Sequence, residues 1–408
     1  MSQPRPRLRH VEAFPIEHES RPCIGLRDPS GYTSAVILVP WAAREILARF
    51  DGRHSIDDIQ AALVKTHGEI VPRETIDGLA RALDEQGFLD GPKFAERRRR
   101  IDEVFHAASV RAATHAGGAY PGDADGLRRT MDAFFAPPAG PGVIAGVGQG
   151  GEPVVGLIAP HIDFHRGGPA YAWAYRDLGE RADADLFVIF GTCHVGMPDA
   201  FAVTRKAYDT PFGPADVDQD FVEALVRRAP LDCFSSEIAH RNEHSIEFQA
   251  VFLRYLFAGR RDFTIVPILT SFAQEALAAG RTPEADACVT GFLDALVDTA
   301  QASGRRIAWI AGADLAHVGP RFGDPQPLTP TAMDKLAAED RAMLDPVVAG
   351  DAAGFFASVA ADRDRRRICG LSPIWSLLHV LGGRPGELRH YGHTPDPDCV
   401  VSFASVVF

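Results

Sequence analysis

The sequence lacks cysteine pairs at CxxC spacing, long hydrophobic runs and an excess of basic residues, and each absence excludes a class of protein. Its six cysteines are scattered along the chain, which is typical of free thiols in a reducing compartment and not of a disulfide scaffold. No apolar run approaches the roughly 20 residues of a membrane helix, and the first residues, MSQPRPRLRH, lack the apolar core of a signal peptide. We therefore expect a cytoplasmic protein without membrane association.

Basic residues are in the minority, with 42 Lys and Arg against 54 Asp and Glu and a formal net charge of -12. This balance argues against nucleic acid as a partner, because phosphate contacts need clustered positive charge. A chain of 408 residues exceeds the size of a typical single core, which favours two domains. A homodimer is also possible for an acidic chain of this size.

The first hundred residues carry a pattern of their own. A short apolar run at 36–38 predicts a strand, and WAAREILARFDG predicts a helix that ends at Gly52. Ser55 and Asp58 have the spacing of a capping box before a second helix, and ETIDGLARALDEQG predicts a third helix that stops at Gly87. Three short helices followed by FLD indicate a small winged-helix α+β domain.

This region resembles the PqqD-like fold, a peptide-recognition module associated with modified-peptide biosynthesis. The resemblance covers roughly residues 25 to 92 and rests on the run ILARFDGRHSIDDIQAALVKTHGEIVPRETIDGLARALDEQGFL. It implies that a leader peptide adds a strand to the edge of the domain's sheet; a helical appendage that only packs on the main domain is the alternative. The predicted division of the chain is a winged-helix domain at 1–98, a helical linker at 99–111 and a main domain at 112–408.

Buried-strand patterns alternate with helical segments along the main domain. The near-continuous apolar runs are VVGLIA, DLFVIFG, FTIVPIL, RIAWIAGAD and VVSFASVVF. Strands buried on both faces are typical of parallel sheets covered by helices. We therefore predict an α/β fold with a largely parallel central sheet and helices on both faces, in which ligands bind beyond the carboxyl ends of the strands.

Polar side chains follow three of these strands. His161 comes directly after VVGLIAP, His194 after DLFVIFGTC, and Asp314 and His317 after RIAWIAG. Each has an ordinary alternative role, because a histidine after a strand can be a hydrogen-bonded turn residue and Asp314 can be a helix N-cap. Their shared position at strand ends favours a functional site.

A further histidine is predicted at the start of a helix. In NEHSIEFQAVFLRYL, Asn242 is expected as the N-cap, which places Glu243, His244 and Glu247 in the first turn. Histidines close to a metal site are suited to moving protons.

Cys369 is also predicted just before a helix. In ICGLSPIWSLLHVLGG, Ser372 is expected as the N-cap and Pro373 at the first helical position. The helix dipole would lower the pKa of the thiol and favour the thiolate, the form that binds metals. Two imidazoles and a thiolate or carboxylate suit a divalent transition metal with open positions, although a lone buried cysteine is more often a small hydrophobe.

Several motifs, in this order, resemble the Memo family, known in bacteria as AmmeMemoRadiSam system protein B. They cover about residues 112 to 408 and are AGGAYPGDADGLRRTMDAFF, LIAPHIDF, FGTCHVG, EHSIEFQAVFL, GADLAH, CGLSPI and VVSFASVVF. The resemblance implies a fold similar to that of the class III extradiol dioxygenases, which are non-haem iron enzymes. It also implies a metal, iron or copper, held by His161, His194 and Cys369.

The same resemblance assigns residues near the metal. GADLAH supplies Asp314 and His317, EHS supplies His244, and His317 or His244 would be the acid/base histidine. Many relatives have PHAGY where this chain has PHIDF, so the family's substrate contacts near His161 do not carry over to this chain. Asp163 or His165 would face the substrate or support the ligands. Because a cysteine stands where the dioxygenases use a carboxylate, ring cleavage does not follow from the fold alone.

The leading hypothesis is a metal-dependent redox enzyme that acts with oxygen on an unknown small molecule or peptide, with Fe(II) as the expected metal and copper or zinc as alternatives. His317 and His244 would handle protons, and Asp314 would orient one of them. The first rival is a non-enzymatic accessory protein that binds a leader peptide or a radical enzyme. The second is a zinc-dependent hydrolase with His317 as base.

Overall fold

A computed structural model describes residues 5–68, 70–146 and 151–408, and the chain divides into two compact units, Met1–Ala107 and Ala108–Phe408. The helix Pro92–Ala107 covers most of the predicted linker at 99–111 and is part of the first unit. Within the described ranges, no helix is both long enough and apolar enough to cross a membrane.

The first unit combines an antiparallel sheet with helices. Its strands, in their order across the sheet, are β1 (Glu12–His18), β2 (Arg21–Arg27) and β3 (Val36–Pro40). Its helices are α1 (Arg44–Leu47), α2 (Ile56–His67), α3 (Arg73–Glu85) and α4 (Pro92–Ala107). Leu26 and Val39 from the sheet pack with Ile59, Ile76 and Leu83 from the helices in a small core of their own.

Local sequence rules account for most of these helices. The capping box before α2 is confirmed, since the Ser55 side chain accepts from the Asp58 N–H and the Asp58 carboxylate accepts from the Ser55 N–H. Gly68, with φ 73°, ends the same helix. The helix predicted from WAAREILARFDG is shorter than expected, because residues 41–43 form a 3-10 turn and only α1 is α-helical.

The second unit contains the remaining elements. Its strands are β4 (Val110–Arg111), β5 (Gly156–Ala159), β6 (Leu186–Thr192), β7 (Phe201–Val203), β8 (Ala207–Tyr208), β9 (Thr264–Thr270), β10 (Ile307–Gly312), β11 (Asp314–Val318), β12 (Glu387–His393) and β13 (Val400–Val407). Its helices are α5 (Ala124–Phe134), α6 (Phe164–Arg181), α7 (Gln219–Val226), α8 (Glu247–Phe257), α9 (Ala273–Ala278), α10 (Ala287–Ser303), α11 (Pro330–Val348), α12 (Ala352–Ala360) and α13 (Leu371–Leu381).

Eight strands form one central sheet, in the order β11-β13-β5-β10-β6-β9-β7, with β12 also paired to β13. The four strands β5, β10, β6 and β9 run parallel, as predicted. The predicted last strand, VVSFASVVF, is β13, and it runs antiparallel to β5. Strands β11 and β12 each pair antiparallel with β13, and β7 pairs antiparallel with β9. The α/β class is therefore confirmed, with a parallel centre and antiparallel flanks.

Helices cover both faces of the parallel strands. A Cβ on Gly156 of β5 would lie 3.1 Å from Leu381 of α13, whereas one on Gly312 of β10 would lie 2.8 Å from Gln249 of α8. Gly156 pairs with Trp309, three residues before Gly312. Because successive residues of a strand face opposite sides, α13 and α8 lie on opposite faces. All the residues of β6 are accordingly buried.

The prediction that Ser372 is the N-cap of α13 is wrong. This helix begins at Leu371 after Gly370, and the Ser372 hydroxyl instead accepts from the backbone N–H groups of Phe272 and Ala273 at 3.3 and 3.0 Å, at the start of α9. Gly370 lets the start of this helix lie close to β11, because a Cβ there would lie 2.4 Å from the Asp314 carbonyl oxygen. A serine in a first turn can thus cap a neighbouring helix rather than its own.

Replacing Ser372 with alanine is expected to lower the free energy of unfolding by about 1–2 kcal/mol, because two buried backbone N–H groups lose their acceptor. Ser376→Ala is the matched control, since that hydroxyl only donates to the Ser372 carbonyl within α13. Urea unfolding followed by tryptophan fluorescence measures both. Equal losses in the two variants would contradict the capping role.

Candidate metal centre

Three neighbouring parallel strands deliver polar residues to one edge of the sheet. Because β10 lies between β5 and β6, the residues after β5, β10 and β6 meet at their carboxyl ends. The Asp314 carboxylate accepts from the His161 N–H at 3.0 Å, and the His161 and His194 ring centroids are 4.8 Å apart. The predicted convergence of these residues is therefore present in the structure.

Cys369 reaches this edge on the loop before α13. Its Sγ lies 3.2 Å from His161 Nε2, and its carbonyl oxygen accepts from the Thr192 hydroxyl at 3.1 Å. The missing side chain of Gly370 lets this loop lie against Asp314. The ligand atoms of His161, His194 and Cys369 are all within 4.8 Å of one another. We call these three residues the HHC cluster.

Each imidazole of the HHC cluster has one nitrogen already engaged. His161 is buried, and its Nδ1 donates to the Gly312 carbonyl oxygen at 2.9 Å. His194 Nδ1 donates to the Glu243 carboxylate at 3.0 Å. In metal proteins a ligating histidine commonly donates its second ring N–H to a carbonyl or a carboxylate in this way. Both rings therefore keep Nε2 for a ligand.

Glu243 belongs to a loop, which corrects the predicted helix start at Asn242. Residues 237–242 form a 3-10 helix, and α8 begins only at Glu247. The loop between them packs onto strand ends that have no side chain, because a Cβ on Gly191 would lie 2.5 Å from Ile246 and one on Gly312 would lie 2.5 Å from the Ser245 carbonyl oxygen.

His244 lies beside the HHC cluster. Its ring stacks on His194 with centroids 4.6 Å apart and meets His161 edge-on at 5.4 Å. His115 and Phe248 contact its other sides at 5.5 and 5.2 Å. Burial lowers the pKa of His244 well below its ordinary value, so the ring is uncharged at neutral pH.

His317 is held by its backbone. Its N–H donates to the Arg366 carbonyl at 2.7 Å, its carbonyl accepts from the Arg367 guanidinium, and its ring meets Phe322 edge-on at 5.1 Å. Burial lowers the pKa of the His317 imidazole. Asp314 opens strand β11, so its alternative role as a helix N-cap is wrong. The Asp314 carboxylate lies 3.7 Å from His161 Nε2 and also accepts from the backbone N–H of Ile162.

Burial sets the protonation of the cluster in the absence of a metal. It lowers the pKa of His161 to about 3 and raises that of Asp314 to about 6. At His194 burial acts to lower the pKa, but the Glu243 carboxylate outweighs it and the pKa is raised. The predicted lowering of the Cys369 thiol pKa is wrong: burial and the nearby Asp314 carboxylate raise it well above its ordinary value. The dipole of one helix is too weak to offset that desolvation.

The two remaining predicted residues lie outside the cluster. Asp163 is the N-cap of α6, where its carboxylate accepts from the backbone N–H of Arg166 at 3.2 Å and forms an ion pair with the same side chain. His165 is exposed on the first turn of α6. Both residues therefore have ordinary structural surroundings.

A buried ion pair contacts the Glu243 loop, and the sequence did not predict this pair. Arg111 and Glu247 pair with both side chains fully buried, and Glu247 also accepts from Tyr120 and His115. The Arg111 guanidinium donates to the Glu243 carbonyl oxygen at 2.7 Å. The available signal was a second glutamate in EHSIE, four residues after Glu243 and surrounded by apolar residues.

Comparison with known proteins identifies one family. The family model described as Memo-like protein matches residues 111–407. A MEMO1 family protein from Aquifex aeolicus is 28% identical over 390 residues, covering 94% of this chain and 95% of its own. The MEMO1 family protein MK0963 from Methanopyrus kandleri is 30% identical over 303 residues, covering 72% and 96%. The MEMO1 family protein TTHA0924 from Thermus thermophilus is 29% identical over 338 residues, covering 83% and 93%.

The alignments differ in how much of the first unit they include. The Aquifex alignment leaves less than a tenth of this chain unmatched, so it includes most of Met1–Ala107. The Methanopyrus relative is almost fully covered by 303 aligned residues, which is about the length of the second unit alone. The range matched by the family model, 111–407, lies within the second unit.

Proposed function

The chain belongs to the Memo-like protein family, and from this premise we propose that it is a metal-dependent redox protein whose ion is held by the HHC cluster. The observation that carries the proposal is the convergence of three ligand atoms from three separate segments within 4.8 Å. Two of the three ligands are imidazoles whose other ring nitrogen is hydrogen-bonded. Such convergence of fixed ligands is characteristic of a built metal site.

The donor set fits a transition metal. Two imidazole nitrogens and one sulfur suit iron, copper or zinc and do not suit the oxygen-preferring Mg²⁺ or Ca²⁺. We propose Fe(II) as the working metal, with copper and zinc as alternatives. When bound, such a metal would supply Lewis acidity and, for iron or copper, one-electron redox chemistry. Binding would require the Cys369 thiol to lose its proton, which the ion's own charge favours.

We assign proton handling to the two neighbouring histidines. His244 stacks on His194 with ring centroids 4.6 Å apart, which places a second, partly exposed imidazole next to a proposed ligand. An imidazole in that position is suited to exchanging protons with a bound substrate. His317 lies three residues after Asp314 on β11, and burial lowers the pKa of its imidazole. Asp314 would hold His161 through its backbone N–H. The substrate is proposed to be a small molecule or a peptide that reaches His244 and the partly exposed His194 ring.

The finer fold assignments support the same proposal. A parallel centre of four strands with ligands at their carboxyl ends is compatible with a class III extradiol dioxygenase-like architecture. The first unit, with its three-stranded sheet and short helices, is compatible with a PqqD-like winged-helix domain. We carry both assignments as parts of the proposal.

A second candidate function, peptide binding by an accessory protein, rests on the sheet of the first unit. Strands β1 and β3 are its two edges, and edge strands can pair with an added peptide strand. Val36 and Leu38 of β3 and the adjacent Trp41 are exposed, at 52%, 37% and 43%. Apolar residues beside an open edge would hold a leader peptide or a radical-enzyme partner.

Anaerobic purification followed by elemental analysis tests the metal proposal. We expect close to one transition-metal ion per chain, with iron in excess of zinc, and oxygen consumption by the iron-loaded protein when a reductant is supplied. Zinc alone, without oxygen consumption, would favour a hydrolase with His317 as base. A protein that takes up no transition metal would contradict the proposal and leave peptide binding as the better candidate.

A further inference from the structure

Glu243 has an unusually complete set of hydrogen bonds for a buried carboxylate. It accepts from the His194 backbone N–H at 2.8 Å and from the His194 ring Nδ1 at 3.0 Å. It also accepts from the backbone N–H groups of His244 and Ser245 at 2.8 and 3.0 Å. Its side chain is 3% exposed. One carboxylate thereby joins the loop after β6 to the loop before α8.

We propose that Glu243 is a positioning residue that fixes the Nδ1–H form of His194 and directs its Nε2 into the HHC cluster. An ionised carboxylate can only accept hydrogen bonds, so the Nδ1 that faces it must carry the proton. The bond to the His194 backbone N–H holds the same residue at a second point and restricts how far the ring can turn. The inference rests on the proposed metal function, because positioning has a purpose only if Nε2 binds a ligand.

A second metal ion is the competing explanation for this carboxylate. His194, Glu243 and His244 also have ligand atoms within 4.8 Å of one another. However, both carboxylate oxygens of Glu243 already accept from N–H groups, and an ion there would have to displace His194 Nδ1. The hydrogen bonds account for the closeness of these three residues without a second ion.

The two imidazoles of the HHC cluster donate their Nδ1–H to different kinds of acceptor, and only one of these acceptors can be removed by substitution. His161 donates to the Gly312 backbone carbonyl, which no substitution removes. The partner of His194 is a side chain, so its role can be tested directly. Loss of such a partner commonly lowers metal affinity by about 10–100-fold.

The first measurement needs no metal. In protein with ¹⁵N-labelled histidine, NMR shifts of the ring nitrogens, assigned with His194→Ala, report which nitrogen carries the proton. At a pH above the raised pKa of His194, where its ring is neutral, we expect the Nδ1–H form in the wild-type protein and a mixture of forms in Glu243→Gln, whose amide NH₂ cannot accept. A wild-type His194 in the Nε2–H form would overturn the inference, whether or not the protein binds metal.

The second measurement is Co²⁺ titration of the full chain, followed by the thiolate-to-cobalt absorption that reports Cys369. We expect Glu243→Gln to bind Co²⁺ about 10–100-fold more weakly than wild type, with circular dichroism unchanged. Asp218→Asn is the control: Asp218 is also buried, caps α7 and pairs with Arg305, beside the amino end of β9 and away from the cluster.

The outcomes separate the inference from the proposed function. Unchanged Co²⁺ affinity and tautomer in Glu243→Gln would overturn the positioning role while the metal site stands. Equal weakening in Asp218→Asn would also overturn it, since any buried carboxylate would then have the same effect. A wild-type protein that binds no Co²⁺ would contradict the metal function and, with it, the positioning role, even if the tautomer confirmed the Glu243–His194 hydrogen bond.

Discussion

Cys369→Ala is expected to remove most of the transition metal from the purified protein and to weaken metal binding by more than a hundredfold. Cys369 supplies the one sulfur of the HHC cluster, and its Sγ lies 3.2 Å from His161 Nε2. Zinc sites with four ligands bind with roughly 10–16 kcal/mol, so one ligand contributes about 3 kcal/mol, or somewhat more than two orders of magnitude in affinity. Elemental analysis after anaerobic purification measures the loss.

Cys193→Ala is the matched control for this prediction. Cys193 is buried, whereas Cys369 is partly exposed. Cys193 directly precedes His194, but it is not part of the HHC cluster. The same substitution there should leave the metal in place. If both variants kept their metal, the proposed site would be wrong; if both lost it, the effect would come from packing around the strand ends and not from a missing ligand.

The site could be predicted from the sequence to the extent that topology determines it. Apolar runs identified the parallel strands, and residues that follow adjacent parallel strands must meet at one edge. This rule places His161, His194 and Asp314 together, because β5, β10 and β6 are neighbours. Cys369 was found through the resemblance and its position before a helix, although its helix begins two residues earlier than Pro373 would suggest.

What the sequence could not give is the set of contacts between distant segments. Glu243 was expected in a helix, because spacing rules say nothing about a loop packing on Gly191 and Gly312. The Cys369 thiol pKa was expected to fall, because a helix start is visible in sequence whereas the burial that raises the pKa is a property of the fold. Ser372 was expected to cap its own helix, although it caps α9. In each case a long-range contact outweighed the local rule.

Glu247→Gln is expected to lower the free energy of unfolding of the second unit by roughly 3–5 kcal/mol at pH 7. The substitution leaves the buried Arg111 guanidinium without its charged partner, and removal of one member of a buried pair has about this cost. Burial alone would raise the Glu247 pKa, but Arg111 and His115 lower it to about 2. That shift from 4.5 corresponds to about 3 kcal/mol.

The pH dependence distinguishes lost charge pairing from lost packing. Because the folded-state pKa of Glu247 is below its unfolded value, the stabilisation is complete above about pH 4.5 and is lost as the pH falls towards 2. Wild type and Glu247→Gln should therefore converge over that window. Urea unfolding can follow this, since Trp173, Trp309 and Trp375 all lie in the second unit.

Glu223→Gln provides the same chemical change on the surface. Its carboxylate is 55% exposed and pairs only with solvent-exposed arginines in the ion pairs described for it, so the expected change is within about 0.5 kcal/mol. A difference between wild type and Glu247→Gln that stayed constant from pH 7 to pH 3 would show that the amide is poorly packed and that charge pairing is not the cause. A difference that decreases as the pH falls would show that the Arg111–Glu247 ion pair is the cause. The pair would then stabilise the Glu243 loop, to which Arg111 donates, and through that loop the position of His194.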